Sequence, residues 1–543
     1  DGFSVGANSK YNASAQRFID YMFRKAPKFM DIVTYTGNGA ARTIAHSLGV
    51  TPNLIIFKRT DGTGGWYAFS GGRVDSNVEY TIMDGSATNS SNTIWNSTLP
   101  TASVFSLGSF TGANTSGAGY IAYLFANDTT TDGLVRTETL LTDSSGNGTV
   151  DIGWEPQFVM MANISAGSDW IIVDTARGFP SGTGRVHLSL NAFSAVDASQ
   201  PDSIVSLTNT GFKITSGWAN GYILWIAIRK PNKPPTTGNQ VYNAIARTGT
   251  GAVASVTGVG FPPDLVIGKA RSTTGGANWT ERFRGATQEF LSSAVNIETT
   301  YANDLTAFGQ DGFTLGTGAS GNKNTSAVTY IEHCFKRAPG VFDIVQDTGT
   351  GVAHTVAHQL GVVPELIIRK QRTTSNANFF VYAAALNNTE YLVFNSTGVR
   401  TTLATMWNST SATSTTFSLG TSTNVNTSGG IYYNYLFASK TGISKVGSYT
   451  GNGGTQTINC SFASGARFVM IKRVDTAGDW FMWDSVRGIT ASANDPHTSA
   501  NTTAAEVTTD SSVEPNSSGF AVVQNTTTNI NVSAATYFYL AFA

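Results

Sequence analysis

The chain repeats its own sequence after 312 residues, the distance from position 45 to position 357. AHSLGVTPNLIIFKR at 45–59 returns as AHQLGVVPELIIRKQ at 357–371. Other matching pairs are WNST at 95–98 and 407–410, DGFSVGANS at 1–9 and DGFTLGTGAS at 311–320, and YMFRKAP at 21–27 and HCFKRAP at 333–339. A long internal repeat indicates similar folding units in series, so one type of unit must account for most of the fold.

The long repeat divides into three related units of roughly 100 residues, a comfortable size for two packed sheets. Every unit contains an apolar run, an aromatic residue further along, and an aromatic closing segment. The apolar runs are LIIFKR, FVMMAN, LVIGKA, LIIRKQ and FVMIKR. We therefore predict five modules, numbered first to fifth, which span 28–128, 129–235, 236–339, 340–440 and 441–543.

Residues 1–27 match only the end of a module, the part at 311–339. They either complete a neighbouring sheet or follow further polypeptide upstream, and we favour the second interpretation. We therefore expect 1–27 to form the C-terminal strands of a preceding module. The stretch 14–25 could mimic a helix, but its partner at 326–337 has the pattern of a strand. We predict a strand in both copies.

The fold class predicted is all-β, a tandem array of antiparallel β-sandwich modules of the jelly-roll or concanavalin-like kind. A chain of 543 residues is too long for a single core. Short runs rich in Val, Ile, Phe and Tyr alternate with Gly, Ser, Thr and Asn turns, which is typical of sandwiches. The closing run YIAYLFA at 120–126 is apolar on both faces, so we predict a central strand there. Modules on short joints would form a rod or a beaded arm.

Composition excludes several classes of protein. Charged residues make up 13% of the chain and the formal net charge is −1, which argues against a basic groove for nucleic acid. The longest apolar runs, such as YILWIAI at 222–228, are far shorter than the ~20 residues that cross a bilayer. We predict no nucleic-acid partner, no membrane insertion and no cofactor. Cys334 and Cys460 lie in separate strand-like runs, so no disulfide framework is expected.

Two Asp-Arg pairs near a tryptophan are candidates for a recognition site. Asp174 and Arg177 of DTARG recur as Asp484 and Arg487 of DSVRG. Such a pair could hold a ligand carboxylate or a sugar hydroxyl, or it could pin a loop onto the sandwich. Because the pair recurs in repeated modules, we favour the structural role.

The repeated aromatic positions also allow two interpretations. Sugars stack on flat aromatic faces, but a buried tryptophan in a sandwich core is the commoner case. We treat these tryptophans as structural repeat positions and leave the binding residues unassigned. They are Trp66, Trp170, Trp279 and Trp480.

Motifs for metal binding and catalysis are missing from the sequence. His354 and His358 are four residues apart, which on a strand separates the rings by about 13 Å, and the first copy has Arg42 in place of His354. Gly-x-Ser-x-Gly elbows with a plausible His partner, P-loops, HExxH and EF-hand loops are also missing. We predict a non-enzyme without a metal site. Two carboxylates about 5–10 Å apart would suffice for a glycan depolymerase, which stays the enzymatic alternative. Asn-x-Ser/Thr triplets, as at Asn114 and Asn426, are what this composition yields by chance.

The pattern FPPDLVIGKAR, NWTERFRGATQEF and LTAFGQDGFTLGTGASGNKNTSAVTY within 261–330 resembles repeats in tail-fibre and other structural proteins of marine bacteriophages. The modules at 29–126 and 341–438 look like a sister family from the same proteins, similar in pattern to concanavalin-like and SPRY-type sandwiches. The resemblance covers essentially the whole chain and brings no catalytic motif with it. It implies a virion component, often at a tail or fibre, that recognises surface glycans or proteins.

We therefore predict a phage tail fibre or spike at the virion surface that binds a host-cell glycan or protein receptor. Two alternatives remain. One is a purely structural virion part, such as a head decoration, baseplate or tail-tube component. The other is a cellular adhesin or surface-layer protein, or an enzyme attached to such an arm. Other virion proteins are expected partners, and a homo-oligomer, with a trimer favoured, is the expected state.

Overall fold

A computed structural model describes most of the chain. The described residues are 4–8, 12–14, 18–72, 77–83, 88–130, 133–165, 169–175, 188–189, 205–208, 210–215, 218–229, 234–318, 323–373, 377–491 and 494–543. They fold mainly into strands, with two single helical turns, Thr111–Asn114 and Thr423–Asn426, and a 3-10 turn at Gly238–Gln240. None of the described helices is long and apolar enough to span a membrane. The prediction of an all-β protein is confirmed.

The first, third and fourth modules share the strand order of their large sheets. The strands of the first are β1 Met30–Thr36, β2 Arg42–Ala45, β3 Pro52–Arg59, β4 Trp66–Ser70, β5 Glu79–Ile82, β6 Thr88–Ser90, β7 Val104–Leu107 and β8 Gly119–Ala126. They form a large sheet with the order β1-β8-β3-β4-β5-β6 and a small sheet of β2 and β7.

The second module has a large sheet of five strands. Its strands are β9 Val135–Leu141, β10 Gly148–Asp151, β11 Pro156–Asn163, β12 Ile171–Asp174, β13 Leu188–Ser189, β14 Val205–Thr208, β15 Gly211–Ile214 and β16 Tyr222–Arg229. They form sheets β13-β12-β11-β16-β9 and β10-β15-β14.

The third module again has a large sheet of six strands. Its strands are β17 Tyr242–Thr248, β18 Ala254–Val256, β19 Leu265–Ala270, β20 Asn278–Glu281, β21 Gln288–Leu291, β22 Thr299–Thr300, β23 Leu305–Phe308, β24 Phe313–Leu315 and β25 Thr329–Phe335. They form sheets β17-β25-β19-β20-β21-β22 and β18-β24-β23.

The fourth and fifth modules repeat the plans of the first and second. The fourth contains β26 Phe342–Thr348, β27 His354–Ala357, β28 Leu366–Gln371, β29 Phe379–Ala383, β30 Glu390–Val393, β31 Thr401–Thr402, β32 Thr416–Leu419 and β33 Ile431–Phe437. The fifth contains β34 Ser444–Thr450, β35 Thr455–Asn459, β36 Phe468–Arg473, β37 Trp480–Asp484, β38 His497–Ser499, β39 Val513–Asn516, β40 Gly519–Val523 and β41 Thr536–Phe542. Their sheets are β26-β33-β28-β29-β30-β31 with β27-β32, and β34-β41-β36-β37-β38 with β35-β40-β39. The strand pairs are antiparallel, as β19 with β25 shows.

The two sheets of a module enclose a core, as the third module shows. Val266 and Cys334 of the large sheet pack with Val256, Phe313 and Leu315 of the small sheet. Burying such side chains stabilises a fold by roughly 1.5–3 kcal/mol each. The array of β-sandwiches follows from this packing, while the bounds of the five modules stay a prediction.

The closing strand of each module lies inside its large sheet. β8 pairs with β1 on one side and β3 on the other, so the apolar pattern at 120–126 correctly predicted a central strand. Successive side chains of a strand point to opposite faces. In β25, Cys334 faces the core of its own module, whereas Ile331 and Phe335 belong to a second core shared with other modules.

That second core contradicts the expectation of separate beads. One continuous cluster of buried apolar residues includes members of the second, third, fourth and fifth modules, among them Trp225, Phe335, Phe437 and Phe542. The large sheets are apolar on both faces and pack against one another, so the modules are not self-sufficient units on flexible joints. The sequence pattern showed two apolar faces but not that other modules cover the second one.

The predicted strand at 14–25 is wrong for its described part. Residues 18–25 have no strand assignment, whereas the matching residues in the third module form β25. The physical reason is hydrogen bonding: β25 lies between β17 and β19, which supply backbone partners on both sides. Residues 18–25 belong to none of the sheets in the described part of the chain, and an extended segment alone is not a stable sheet.

Candidate functional site

The third, fourth and fifth modules close into a ring, which we define as residues 236–543. Three equivalent backbone hydrogen bonds mark its contacts. Glu298 of the third module donates its amide to the carbonyl oxygen of Arg372 in the fourth, at 3.1 Å. Arg400 of the fourth donates to Val474 of the fifth at 3.1 Å, and Glu506 of the fifth donates to Arg271 of the third at 3.0 Å. We call these contacts the third–fourth, fourth–fifth and fifth–third seams.

Aromatic side chains fill the centre of the ring. The Phe335 ring lies 5.9 Å from those of Phe437 and Phe468 and 5.5 Å from that of Phe542, so all three modules meet there. Tyr242 covers this group, with its ring 5.1 Å from the ring of Phe468. Edge-to-face aromatic pairs contribute about 0.5–1.5 kcal/mol beyond area burial.

The third–fourth seam contains buried charges. Arg284 forms an ion pair with Glu281, and both side chains are fully buried. The same guanidinium reaches Glu298 at 3.1 Å, and Arg372 of the fourth module binds Glu298 at 2.7 Å. The Tyr435 hydroxyl donates to Glu281 at 3.3 Å. Burial raises the pKa of Glu281, although Arg284 opposes the shift.

The fifth–third seam has the same arrangement and contains one of the predicted pairs. Asp484 and Arg487 form a buried ion pair at 2.5 Å. Arg487 also reaches Glu506 at 3.1 Å, and Arg271 of the third module binds Glu506 at 3.0 Å. Burial acts to raise the pKa of Asp484, but Arg487 and His333 more than offset it, and the pKa lies below its usual value. The pair therefore lies within an interface between modules.

The earlier copy of this pair is described only in part. Asp174 accepts a hydrogen bond of 2.7 Å from the hydroxyl of Tyr21, while Arg177 lies outside the described residues. Asp174 pairs with Phe158 as Asp484 pairs with Phe468, so the two aspartates are equivalent in the sheet.

The fourth–fifth seam has apolar residues where the others have charges. Strand pairing places Ala383 opposite Leu366, the position that Glu281 holds opposite Leu265. Three residues further on, Leu386 replaces Arg284 and packs against the shared core. The Trp480 ring lies 4.7 Å from that of Phe394, and its indole N–H donates to the Val393 carbonyl oxygen at 3.2 Å. Packing and hydrogen bonds to backbone carbonyl oxygens hold this seam.

Buried lysines tie the seams to backbone carbonyls. Lys269 donates through Nζ to Thr502 of the fifth module at 2.6 Å, and Lys472 donates to Thr397 of the fourth at 2.9 Å. Lys370, at the same strand position, lies 5.8 Å from the Phe290 ring of the third module. Burial lowers the pKa of each of these lysines to about 8.

The predicted aromatic positions are mostly buried. Trp170, Trp279 and Trp480 are at most 2% exposed and cannot present a face to a sugar. Trp66 is half-buried and lies on a groove. Trp279 is displaced by two residues relative to the others, since Ile267 pairs with Trp279 but Lys472 pairs with Trp480. It still points to the same face of the sheet.

Histidines and cysteines form no reactive cluster in the described part of the chain. His358 is buried and contacts the Thr413 carbonyl oxygen at 3.2 Å, while His354 contacts Thr350 on the exposed side. No three His, Cys, Asp or Glu residues of the described ranges lie together as metal ligands. Cys334 and Cys460 are free thiols and buried, and burial raises the pKa of Cys460 to about 11.

A groove of about 570 Å³ lies between the first and second modules. Its walls are almost entirely apolar, including Trp66, Tyr123, Phe125, Phe158 and Ile228. The side chains of Tyr21 and Phe23 form one edge. Sequence reasoning missed this groove, because its lining residues come from strands far apart in the chain.

A smaller cleft of about 60 Å³, lined mostly by polar residues, lies between the ring and the second module. Arg337, in the segment that connects the third and fourth modules, binds Glu155 of the second module at 2.7 Å and Asp343 of the fourth at 2.8 Å. Asp264 accepts the backbone amide of Arg337 at 2.7 Å. The joint is therefore fixed by ion pairs, and its charges hold modules together.

Comparison with family models finds a match over most of the chain. A family model described as "Domain of unknown function (DUF7483)" matches residues 1–222 and 237–543. The second matched stretch coincides with the ring. No curated protein matches the chain.

Proposed function

Since the chain belongs to the DUF7483 family, whose description assigns no activity, we propose a function from geometry and from the sequence resemblance. The protein is a non-catalytic component of a bacteriophage virion, a tail fibre or spike that attaches to the host surface. Its modules serve as building blocks, and recognition belongs to exposed loops.

A non-catalytic role is supported by the position of the charged side chains, which lie in the contacts between modules. Glu281, Arg284, Asp484 and Arg487 are buried at seams, where they bind one another and close the ring. Groups that hold modules together in this way are not available to a substrate. The virion assignment is supported by the resemblance of residues 261–330 to phage structural repeats.

The proposed partners are a host-cell glycan or protein receptor and other virion proteins. A homotrimer stays our preferred assembly, since closed symmetric oligomers are the usual state of such proteins. Sedimentation equilibrium of the full chain tests it: three times the mass of 57.3 kDa supports a trimer, and the single mass contradicts it.

Cryo-electron microscopy of the source particle, labelled with antibodies against residues 236–543, tests the location. Label on projections with one anchored end supports a fibre or spike. Label on a continuous shell or tube supports the alternative of a structural virion part and contradicts host attachment. Label on a cell surface without particles supports an adhesin or surface-layer protein.

The depolymerase alternative requires its own assay. Purified full-length protein is incubated with capsular or lipopolysaccharide glycan from the host, and reducing ends are measured over time. We expect no increase over buffer. A steady increase would overturn the non-catalytic role, and binding without cleavage on the same glycans would support attachment.

A further inference from the structure

We propose that the groove between the first and second modules is the seat of a further β-sandwich module of the 236–310 kind. With that module in place, residues 4–228 would form a second ring like the one at 236–543. This proposal is independent of the function proposed above.

The segment 18–27 already holds the position that the closing strand holds in the ring. The Tyr21 ring lies 5.1 Å from that of Phe158, and His333 lies 5.1 Å from Phe468. The sequence match pairs Tyr21 with His333, and the modules pair Phe158 with Phe468. The two contacts are therefore equivalent in residues and in distance.

A second aromatic residue repeats this agreement. The Phe23 ring lies 6.2 Å from that of Phe125 and 5.9 Å from that of Phe158. Its partner Phe335 lies 5.9 Å from both Phe437 and Phe468. Contacts at the centre of the ring are thus reproduced around residues 18–27.

A polar contact repeats as well. The Tyr21 hydroxyl donates to Asp174 at 2.7 Å, as the Tyr435 hydroxyl donates to Glu281 at 3.3 Å. Both acceptors hold the same sheet position. Residues 4–228 therefore contain the equivalents of two of the three ring modules and the closing segment of the third.

Burial differs sharply between the two copies of that closing segment. Phe18 and Met22 are 47% and 70% exposed, whereas their partners Tyr330 and Cys334 are 1% and 0% exposed. Phe23 is 38% exposed, and Phe335 is 1% exposed. The partners are covered because β17 and β19 pair with β25 and because a small sheet packs over it. The exposed apolar side chains at 18–23 require a similar cover.

The face of the first module beside the groove is also more exposed than its equivalent in the ring. Ile121, Trp66 and Tyr123 are only half-buried. The corresponding residues of the fourth module are fully buried against the third: Tyr433, Phe379 and Tyr435. Trp279 provides part of that cover, with its ring 5.0 Å from that of Tyr435.

The occupant we propose is one module, joined in the same chain ahead of residues 4–27. Such a module supplies strands equivalent to β17 and β19 for the segment 18–25, and side chains equivalent to Tyr242 and Trp279 for the groove. A second copy of the chain fits less well, because its own 236–310 strands are already paired and buried in its ring.

The test is a fusion of a copy of residues 236–310 to the front of the full chain. The join preserves the natural order, since Gln310 precedes Asp-Gly-Phe at 311–313 and the chain begins with the same three residues. Amide hydrogen exchange is compared between the fused and unfused proteins. We expect exchange at 18–25 to slow at least about ten-fold in the fusion. Unchanged exchange there would overturn the proposal, whether or not the added segment is itself protected.

A second readout does not depend on amide assignments. Met22→Cys introduces the residue found at Cys334, and its maleimide labelling is followed in both proteins. We expect rapid labelling in the unfused chain and labelling at least about ten-fold slower in the fusion, as for a thiol covered by a sheet. Equal rates would contradict the proposal.

A variant on the strand that carries Tyr123 and Phe125 of the groove serves as the matched control. Ile121→Lys alters a half-buried side chain, so the unfused chain should keep its unfolding midpoint, while the fusion should regain rapid exchange at 18–25. The unfused chain could instead sediment as a dimer, with slow labelling at Met22→Cys. In that case a second copy covers the groove, and the proposal of a module in the same chain fails.

Discussion

The third–fourth and fourth–fifth seams occupy equivalent places in the ring but use different chemistry. At the first, Glu281 and Arg284 form a buried ion pair that extends through Glu298 to Arg372. At the second, Ala383 and Leu386 stand at the positions of Glu281 and Arg284, by strand register. A buried ion pair recovers little net energy, because desolvation offsets much of the attraction. The comparison shows that the seams share an equivalent backbone hydrogen bond but do not all contain a buried ion pair.

The cost of breaking a seam should nevertheless depend strongly on its chemistry. Removing one partner leaves a buried charge uncompensated, whereas trimming an apolar side chain leaves only a cavity. Four predictions test this difference.

Removal of the cation from a charged seam, as in Arg487→Met, should have the largest effect. It leaves Asp484 buried without its ion-pair partner and leaves Glu506 with Arg271 alone, which costs about 3–5 kcal/mol. Urea unfolding followed by tryptophan fluorescence measures the loss as a lower midpoint for the ring. The matched control is Arg473→Met at the partly exposed Arg473–Asp475 pair, where about 1 kcal/mol or less is expected. Equal losses at both sites would show that the seam charges carry no special role.

His333 should make the fifth–third seam sensitive to acid. Burial lowers its pKa to about 4, below the 6.5 of an unfolded chain, with Asp484 and Arg487 nearby and Tyr242 in hydrogen-bond contact at 2.9 Å. Between these values only the unfolded state binds the proton, so stability falls as the pH falls from 6.5 to 4. The loss from this group is up to about 3 kcal/mol.

The matched variant for this effect is His333→Tyr, which installs the residue found at Tyr435 and Tyr21. We expect its unfolding midpoint to depend less on pH than that of the original protein over the same range. Midpoints measured at pH 7, 5.5 and 4 provide the comparison, and parallel curves for the two proteins would show that His333 is not the titrating group.

Leu386→Ala should cost about 1–2 kcal/mol, because Leu386 packs on the shared core but is only partly buried. The control is Leu99→Ala, at a leucine that is 52% exposed, for which a change within about 0.5 kcal/mol is expected. Thermal unfolding of both variants measures the difference. A loss at Leu386 as large as that of Arg487→Met would contradict the distinction between the two kinds of seam.

Sequence pattern predicted the central closing strand of the first module but not what covers its second face. The run 120–126 indicated a central strand because both faces are apolar, and β8 is central. Which surface covers the second face depends on contacts between modules hundreds of residues apart, and no local pattern encodes them. The same reason explains why residues 18–25 resemble β25 in sequence but not in structure.

One repeated structural residue was overlooked because it resembled a chance motif. Asn114 and Asn426 fit Asn-x-Ser/Thr triplets, yet both are fully buried. Their side-chain amides donate to the carbonyl oxygens of Gly108 and Gly420 at 2.7 Å. The usable signal was the tyrosine six positions later, as at Tyr120, since its hydroxyl accepts the amide of Thr115 beside the asparagine.

The smallest change is expected when the apolar seam is copied onto the charged one. The combined variant Glu281→Ala, Arg284→Leu, Glu298→Gln and Arg372→Val removes the four charges of the third–fourth network and places the residues of the fourth–fifth seam at three of the four positions. Since no unpaired buried charge remains, the free energy of unfolding should stay within about 1.5 kcal/mol of the original or rise. Arg284→Leu alone should cost about 3–5 kcal/mol, because Glu281 and Glu298 stay buried. If urea midpoints show that the combined variant is as unstable as the single one, the seam depends on its charges themselves, and the ring needs them for more than filling space.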